Sequence, residues 1–189
     1  MTLYDRDQAL GLLRNHVTSK QLLKHSFAVE GSMRYYGKLF NEDQAVYGIC
    51  GLLHDIDFEA YPDQHPGPGL DWLSQAGYDD DFVKAVKGHG SVDEKRETKM
   101  AKTLFAVDEL SSFVVAAALV RPTKFEGMQV KSIKKKMKVK SFAAAVNRET
   151  IKLGAEALEL TLEEHIQNVI NGLVEHEAFL QTQGLSMVD

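Results

Sequence analysis

The chain has 189 residues, of which 44% are hydrophobic and 26% charged, with a formal charge of −5. This is the balance of a globular protein large enough to bury a core, and the negative sign argues against binding a nucleic-acid polymer through bulk charge. The one cysteine, Cys50, excludes an internal disulfide and fits a reducing, cytoplasmic setting.

The opening residues, Met1 to Asp7, lack the basic-then-apolar order of a signal peptide. Helical spacing dominates from there on. Leu3 to Val17 reads as a first helix with Ala9, Leu12 and Leu13 inward. Thr18 with Gln21 resembles a capping box for a second helix that runs to about Tyr36 and ends at Gly37. On its wheel His25 falls between Leu22 and Val29, so it faces inward. Asn41, with Gln44 as box partner, is expected to cap a third helix carrying Val46, Ile49, Leu52 and Leu53. Gly48 and Gly51 strip side chains from that helix and invite a close backbone neighbour. The helix delivers His54 and Asp55 at its C-terminal end.

Residues 58–69 form a loop rich in Pro, Gly and Asp, and it contains His65-Pro66-Gly67-Pro68-Gly69. Leu70 to Gln75 and Asp79 to Lys87 read as short helices, the second ending in Gly88-His89-Gly90 with the histidine in the turn. From Thr98 a long apolar helix carries Leu104, Val107, Leu110 and Val114, with Asp108 embedded in it, until Arg121-Pro122 stops it. Its apolar window contains Asp108 and Glu109 and is too short to span a membrane. The segment Gln129 to Lys140 is strongly basic. Phe142 to Leu153 and Thr161 to about Gln181 read as helices, the last opened by a Thr161–Glu164 capping box, and Ser186 to Asp189 is expected to fray. The fold class is all-α, a helical bundle with short loops in one domain over residues 1–189. His16, His165 and His176 follow no pattern and default to the surface. Cys50 is expected to be a buried, inert thiol.

In order, the inward or junctional His and Asp residues are His25, His54-Asp55, His65, His89 and Asp108. An isolated ionised aspartate in an apolar helix is costly, and a metal bound by Asp108 would remove that cost. Imidazole and carboxylate without thiolate suit Mn²⁺, Fe²⁺, Zn²⁺, Co²⁺ or Ni²⁺.

This series resembles the HD-domain superfamily of metal-dependent phosphohydrolases, whose pattern is a histidine, a His-Asp pair and a distant aspartate, all on helices. His25, His54-Asp55 and Asp108 match in order and setting. His65, in His-Pro-Gly-Pro-Gly, is similar to the His-Pro-x-x-Gly element of the subgroup that cleaves cyclic dinucleotides, and His89 follows at a similar spacing. The chain departs from that subgroup in having His89-Gly90 where two adjacent histidines usually stand, and Ile56-Asp57-Phe58 in place of a Gly-Tyr-Pro extension. The resemblance covers about residues 20–122, with the C-terminal helices of 130–181 expected to pack on that core.

The resemblance implies one metal held by His25, His54, Asp55 and Asp108, and a second held by His65 and His89 with Asp55 bridging. It implies hydrolysis of a small phosphorylated compound, a nucleotide phosphomonoester or phosphodiester, by water that the metal activates. Asp57 and Glu59 become candidate proton donors, and Arg121 and Lys124 candidate phosphate clamps. The Lys131, Lys134, Lys135, Lys136, Lys138, Lys140 run is either a solvated face or an anion funnel. A monomer or homodimer is expected. Two competing readings keep the same residues: a pair of irons that uses O₂ to oxidise a substrate, and a pocket that binds a nucleotide without turning it over.

Overall fold

The computed structural model describes residues 4–189, and among them the chain forms nine helices and no strand. The first helix, α1 (Arg6–His16), begins where the Asp5 carboxylate accepts from the Gln8 amide. Leu3, where the sequence pattern placed its start, lies outside the described residues. The second, α2 (Lys20–Leu39), is capped by Ser19, not Thr18. It runs through Gly37, whose missing side chain admits the start of the next helix: a Cβ there would stand 3.2 Å from Gln44 Cα.

The chain then turns at Asn41, which has a φ of 56°. Asparagine tolerates this left-handed conformation better than most residues. The turn takes Asn41 out of the capping position, and Asp43 caps α3 (Gln44–Leu53) by accepting from the Ala45 and Val46 amides.

A turn-rich segment leads to α4 (Gly67–Gln75), which has Pro68 in its first turn. After Gly77, at a φ of 95°, Asp79 caps α5 (Asp80–His89). His89 is therefore the last helical residue rather than part of a turn. Thr98 caps α6 (Lys99–Leu119). The basic segment becomes α7 (Val130–Met137), with Ile133 buried.

The next helix, α8 (Arg148–Ala157), starts from an Asn147 cap and not at Phe142. Residues 142–146 are instead gathered into turns by the Arg148 guanidinium, which donates to the carbonyls of Phe142, Ala143 and Val146. The last helix, α9 (Leu162–Thr182), opens with the Thr161–Glu164 capping box.

The long helices α2 and α6 form the centre: α2 packs on α3, α6 and α9, and α6 packs also on α5 and α8. Seven consecutive residues of α3, Tyr47 to Leu53, are buried. Ile49, Leu52 and Leu53 each contribute about 1.5–3 kcal/mol by burial. The close approach depends on Gly51, where a Cβ would lie 2.8 Å from the Val29 carbonyl oxygen of α2. Cys50 lies in the same layer, and burial pushes its thiol up, away from the reactive thiolate.

Two histidines assigned to the surface are in the core. His165 donates from Nε2 to the Ala106 carbonyl at 2.8 Å, so its Nδ1 accepts from the Tyr36 hydroxyl at 2.6 Å. His176 lies 3.2 Å from the buried Glu30 carboxylate, which Arg6 also grips at 2.6 and 2.9 Å. The sequence pattern hid this because α9 approaches α2 through glycines: a Cβ on Gly31 would stand 2.6 Å from His176 Cβ, and one on Gly172 would stand 3.0 Å from the Gly31 carbonyl oxygen. Nor do the final residues fray. The Glu177 carboxylate accepts from Ser186 Oγ and the Met187 amide, and Met187 and Val188 are buried. Among the described residues no helix is long and apolar enough to cross a membrane.

Candidate metal centre

Four helices and one turn segment converge on one point. The second turn of α2 supplies His25. The end of α3 supplies His54 and Asp55. The turn segment after it supplies His65, the last residue of α5 is His89, and the middle of α6 carries Asp108. The apolar faces that fold the bundle set these positions.

His25 Nε2 lies 3.1 Å from His54 Nε2, 3.1 Å from Asp108 Oδ1 and 3.3 Å from Asp55 Oδ2. His54 Nε2 lies 3.4 Å from Asp55 Oδ2 and 3.5 Å from Asp108 Oδ1. These atoms are spaced as vertices around a centre. Nitrogen and oxygen ligands about 2.0–2.2 Å from a cation stand roughly 3.0–3.5 Å apart at octahedral or tetrahedral angles. A second group forms on the other side of the same carboxylate: His65 Nε2 and His89 Nε2 are 3.1 Å apart, and each is 3.3 Å from Asp55 Oδ1. Asp55 thus gives one oxygen to each group.

The outer nitrogens of the four rings are tied as a metal ligand requires. His54 Nδ1 donates to the Gly51 carbonyl at 2.7 Å, and His89 Nδ1 to the Val86 carbonyl. His65 Nδ1 donates to Asp57 Oδ1 at 2.7 Å. Carbonyls and carboxylates only accept, so these Nδ1 atoms carry a proton and it is the Nε2 atoms that face the centre. His25 Nδ1 lies 2.9 Å from Ser112 Oγ. Ser112 sits one turn beyond Asp108 on the same helix face, and that spacing was the available signal for a residue the sequence reading missed.

The electrostatics agree with the geometry. Burial would lower the His25 imidazole, but hydrogen bonds to Asp108 and Asp55 outweigh it and raise it to about 9. His54 is likewise raised: burial lowers it, and Asp55 and Asp108 reverse that. Burial raises Asp55 and Asp108, and the surrounding imidazoles drive both well below the usual carboxylate range. Two ionised carboxylates in a largely buried cluster call for positive charge at their centre. His54 is fully buried, whereas the Asp108 and His25 side chains keep 23% and 19% of their exposure, so the centre opens to solvent on their side.

The candidate proton donors and clamps lie elsewhere or do other work. Both oxygens of Asp57 accept, one from His65 and the other from the Gly69 amide at 2.9 Å. Burial raises this carboxyl, but those two donors lower it below its ordinary value, so Asp57 is an ionised positioning group with no proton to give. The Glu59 carboxylate accepts from the Thr18 amide, the Thr18 hydroxyl and the Ser19 amide at 2.9, 2.6 and 2.8 Å. It braces the α1–α2 turn against the segment that follows α3.

Arg121 is spent on its own loop, donating to the carbonyls of Lys124 and Glu126 at 2.9 and 2.6 Å. The Lys124 ammonium reaches back to the Leu119 carbonyl. Both side chains are engaged with their own loop. In the lysine run, Lys134 pairs with Glu163, and Lys136 lies over the Phe142 ring at 4.4 Å.

Comparison with protein-family models, with curated proteins and with solved structures gave no match.

Proposed function

We propose that the chain is an HD-type phosphohydrolase that depends on divalent metal and acts on a small phosphorylated compound, a nucleotide phosphomonoester or phosphodiester. One observation carries the reading: imidazoles held by their Nδ1 atoms aim their Nε2 atoms at two carboxylates, and Asp55 divides its oxygens between two groups of ligands. His25, His54, Asp55 and Asp108 would hold one cation, and His65, His89 and Asp55 a second. Bound there, a divalent ion supplies Lewis acidity, lowering the pKa of a water and screening phosphoryl oxygens from the nucleophile.

The rest of the work falls to the chain. The Gly51 and Val86 carbonyls and Asp57 fix the orientation and tautomer of His54, His89 and His65, and Ser112 orients His25, so the ligand atoms need little reorganisation. Buried His54 closes the floor against water, and the exposed edge at His25 and Asp108 leaves room for a phosphoester.

The shared Asp55 also suits a pair of irons acting with O₂, and one experiment separates the two. Purified protein is loaded in turn with Mn²⁺, Fe²⁺, Co²⁺, Ni²⁺ and Zn²⁺ and assayed in air against a panel of phosphomonoesters and phosphodiesters. Hydrolysis with Mn²⁺ or Ni²⁺, read as phosphate released from a monoester or as monoester and alcohol formed from a diester, and lost in His54→Ala and Asp55→Ala, supports the reading. Turnover confined to iron and dependent on O₂ refutes it, as does undiminished hydrolysis in either variant.

A further inference from the structure

Phe58 keeps 45% of its surface exposed, yet its ring stands edge-to-face on the His65 imidazole with centroids 5.3 Å apart. It is not a loose loop residue. Its own amide donates to the Asp55 carbonyl at 3.0 Å. The residue before it, Asp57, is anchored to His65 and Gly69, and the residue after it, Glu59, to Thr18 and Ser19. The backbone is fixed on both sides, so the ring is held beside His65, a candidate ligand.

Keeping so large an apolar face in water is unfavourable; Tyr61, exposed to 42%, has Trp72 as its ring neighbour, whereas the ring neighbour of Phe58 is the candidate ligand His65. The exposed part of Phe58 is thereby left beside the group of His65, His89 and Asp55, within reach of a substituent on a phosphoester bound there.

We propose that Phe58 is a stacking platform that selects phosphoesters bearing a planar aromatic group, above all a nucleobase carried one sugar away from the phosphoryl group. This rests on the reading of the His/Asp centre as a phosphoester site. Stacking uses the face of a ring and not its hydrogen-bonding edge, so Phe58 senses that a base is present and distinguishes poorly among bases. The segment that orients His65 thereby also sets substrate class.

The test uses full-length Mn²⁺-loaded protein and two probes, adenosine 5′-monophosphate and ribose 5-phosphate, which differ only in the base. Equilibrium binding and phosphate release are measured separately for the unaltered chain and for Phe58→Ala, Phe58→Trp and Tyr61→Ala. The expected result is that the nucleotide binds about tenfold more tightly than the sugar phosphate. Phe58→Ala abolishes that preference, bringing the two affinities to within about twofold of each other, while Phe58→Trp and Tyr61→Ala keep it. The proposal is overturned if the unaltered chain binds both probes alike, if it does not bind the nucleotide, or if Phe58→Ala retains the preference. If neither probe releases phosphate but the preference and its loss are seen, the hydrolase reading fails and the platform stands. Phosphate release without any preference does the reverse.

Discussion

Replacing Asp57 by asparagine separates orientation from proton transfer at this centre. The carboxylate faces two donors, His65 Nδ1–H at 2.7 Å and the Gly69 amide at 2.9 Å. Asparagine has one acceptor oxygen, so either rotamer turns its NH₂ toward one of those donors. Leaving one buried donor unsatisfied costs about 1–3 kcal/mol, which at 2–4 °C per kcal/mol for a chain of this size lowers Tm by about 2–12 °C. If the mismatch falls on His65, the ring loses the partner that fixes its tautomer, and affinity for a metal at the His65, His89, Asp55 group drops about 10–100-fold. The group of His25, His54, Asp55 and Asp108 does not touch Asp57 and keeps its ion. The assay is calorimetric titration of Mn²⁺ into chelator-treated protein, unaltered and Asp57→Asn, with Tm measured alongside. Two sites titrating with unchanged affinity in the variant, together with a large fall in kcat, would refute the positioning role and restore Asp57 as an acid.

Further outcomes follow from other parts of the fold. Gly51→Ala places a methyl 2.8 Å from the Val29 carbonyl oxygen and 2.9 Å from Met33 Cγ; such overpacking costs about 1–3 kcal/mol, and thermal denaturation should show the loss together with weakened metal binding, since α3 aims His54. Arg121→Ala and Lys124→Ala should leave KM for any phosphoester within about twofold, because both side chains serve their own loop; a tenfold rise in KM would place them at the substrate after all. For pH, His25 is raised in the folded chain to about 9 from 6.5. A raised imidazole gives stability that is fully present below its unfolded value and lost as pH rises through the folded one. Chelator-treated protein should therefore lose Tm between about pH 6.5 and 9, and Mn²⁺ should abolish the loss; a flat profile would contradict the ion-pair reading of His25 with Asp108 and Asp55.

Much of this was legible because the features concerned are local. The wheel of Leu22, His25 and Val29 faces inward as expected, and the capping box at Thr161 is in place. Glycine spacing announced the α2–α3 contact that Gly51 makes. The convergence of the His/Asp series was readable as an ordered set, although any one of its members was weak evidence.

What was missed depends on tertiary contact. Asn41 yields its capping role to Asp43 because the turn demands a positive φ. His165 and His176 are drawn inward by a helix packing that small residues permit, and the chain's end is pinned by a buried Glu177. Charge type alone suggested Glu59, Arg121 and Lys124 for the site, and their true partners are backbone groups in nearby turns that no spacing rule reveals.

The most direct measurement is elemental analysis of the purified protein beside Asp55→Ala, each first exposed to Mn²⁺, Fe²⁺, Co²⁺, Ni²⁺ and Zn²⁺ and then desalted. Because Asp55 gives one oxygen to each group of ligands, the unaltered chain should retain up to two equivalents of a transition metal and the variant close to none. A folded protein that retains no metal, or a variant that retains as much as the parent, would contradict the account.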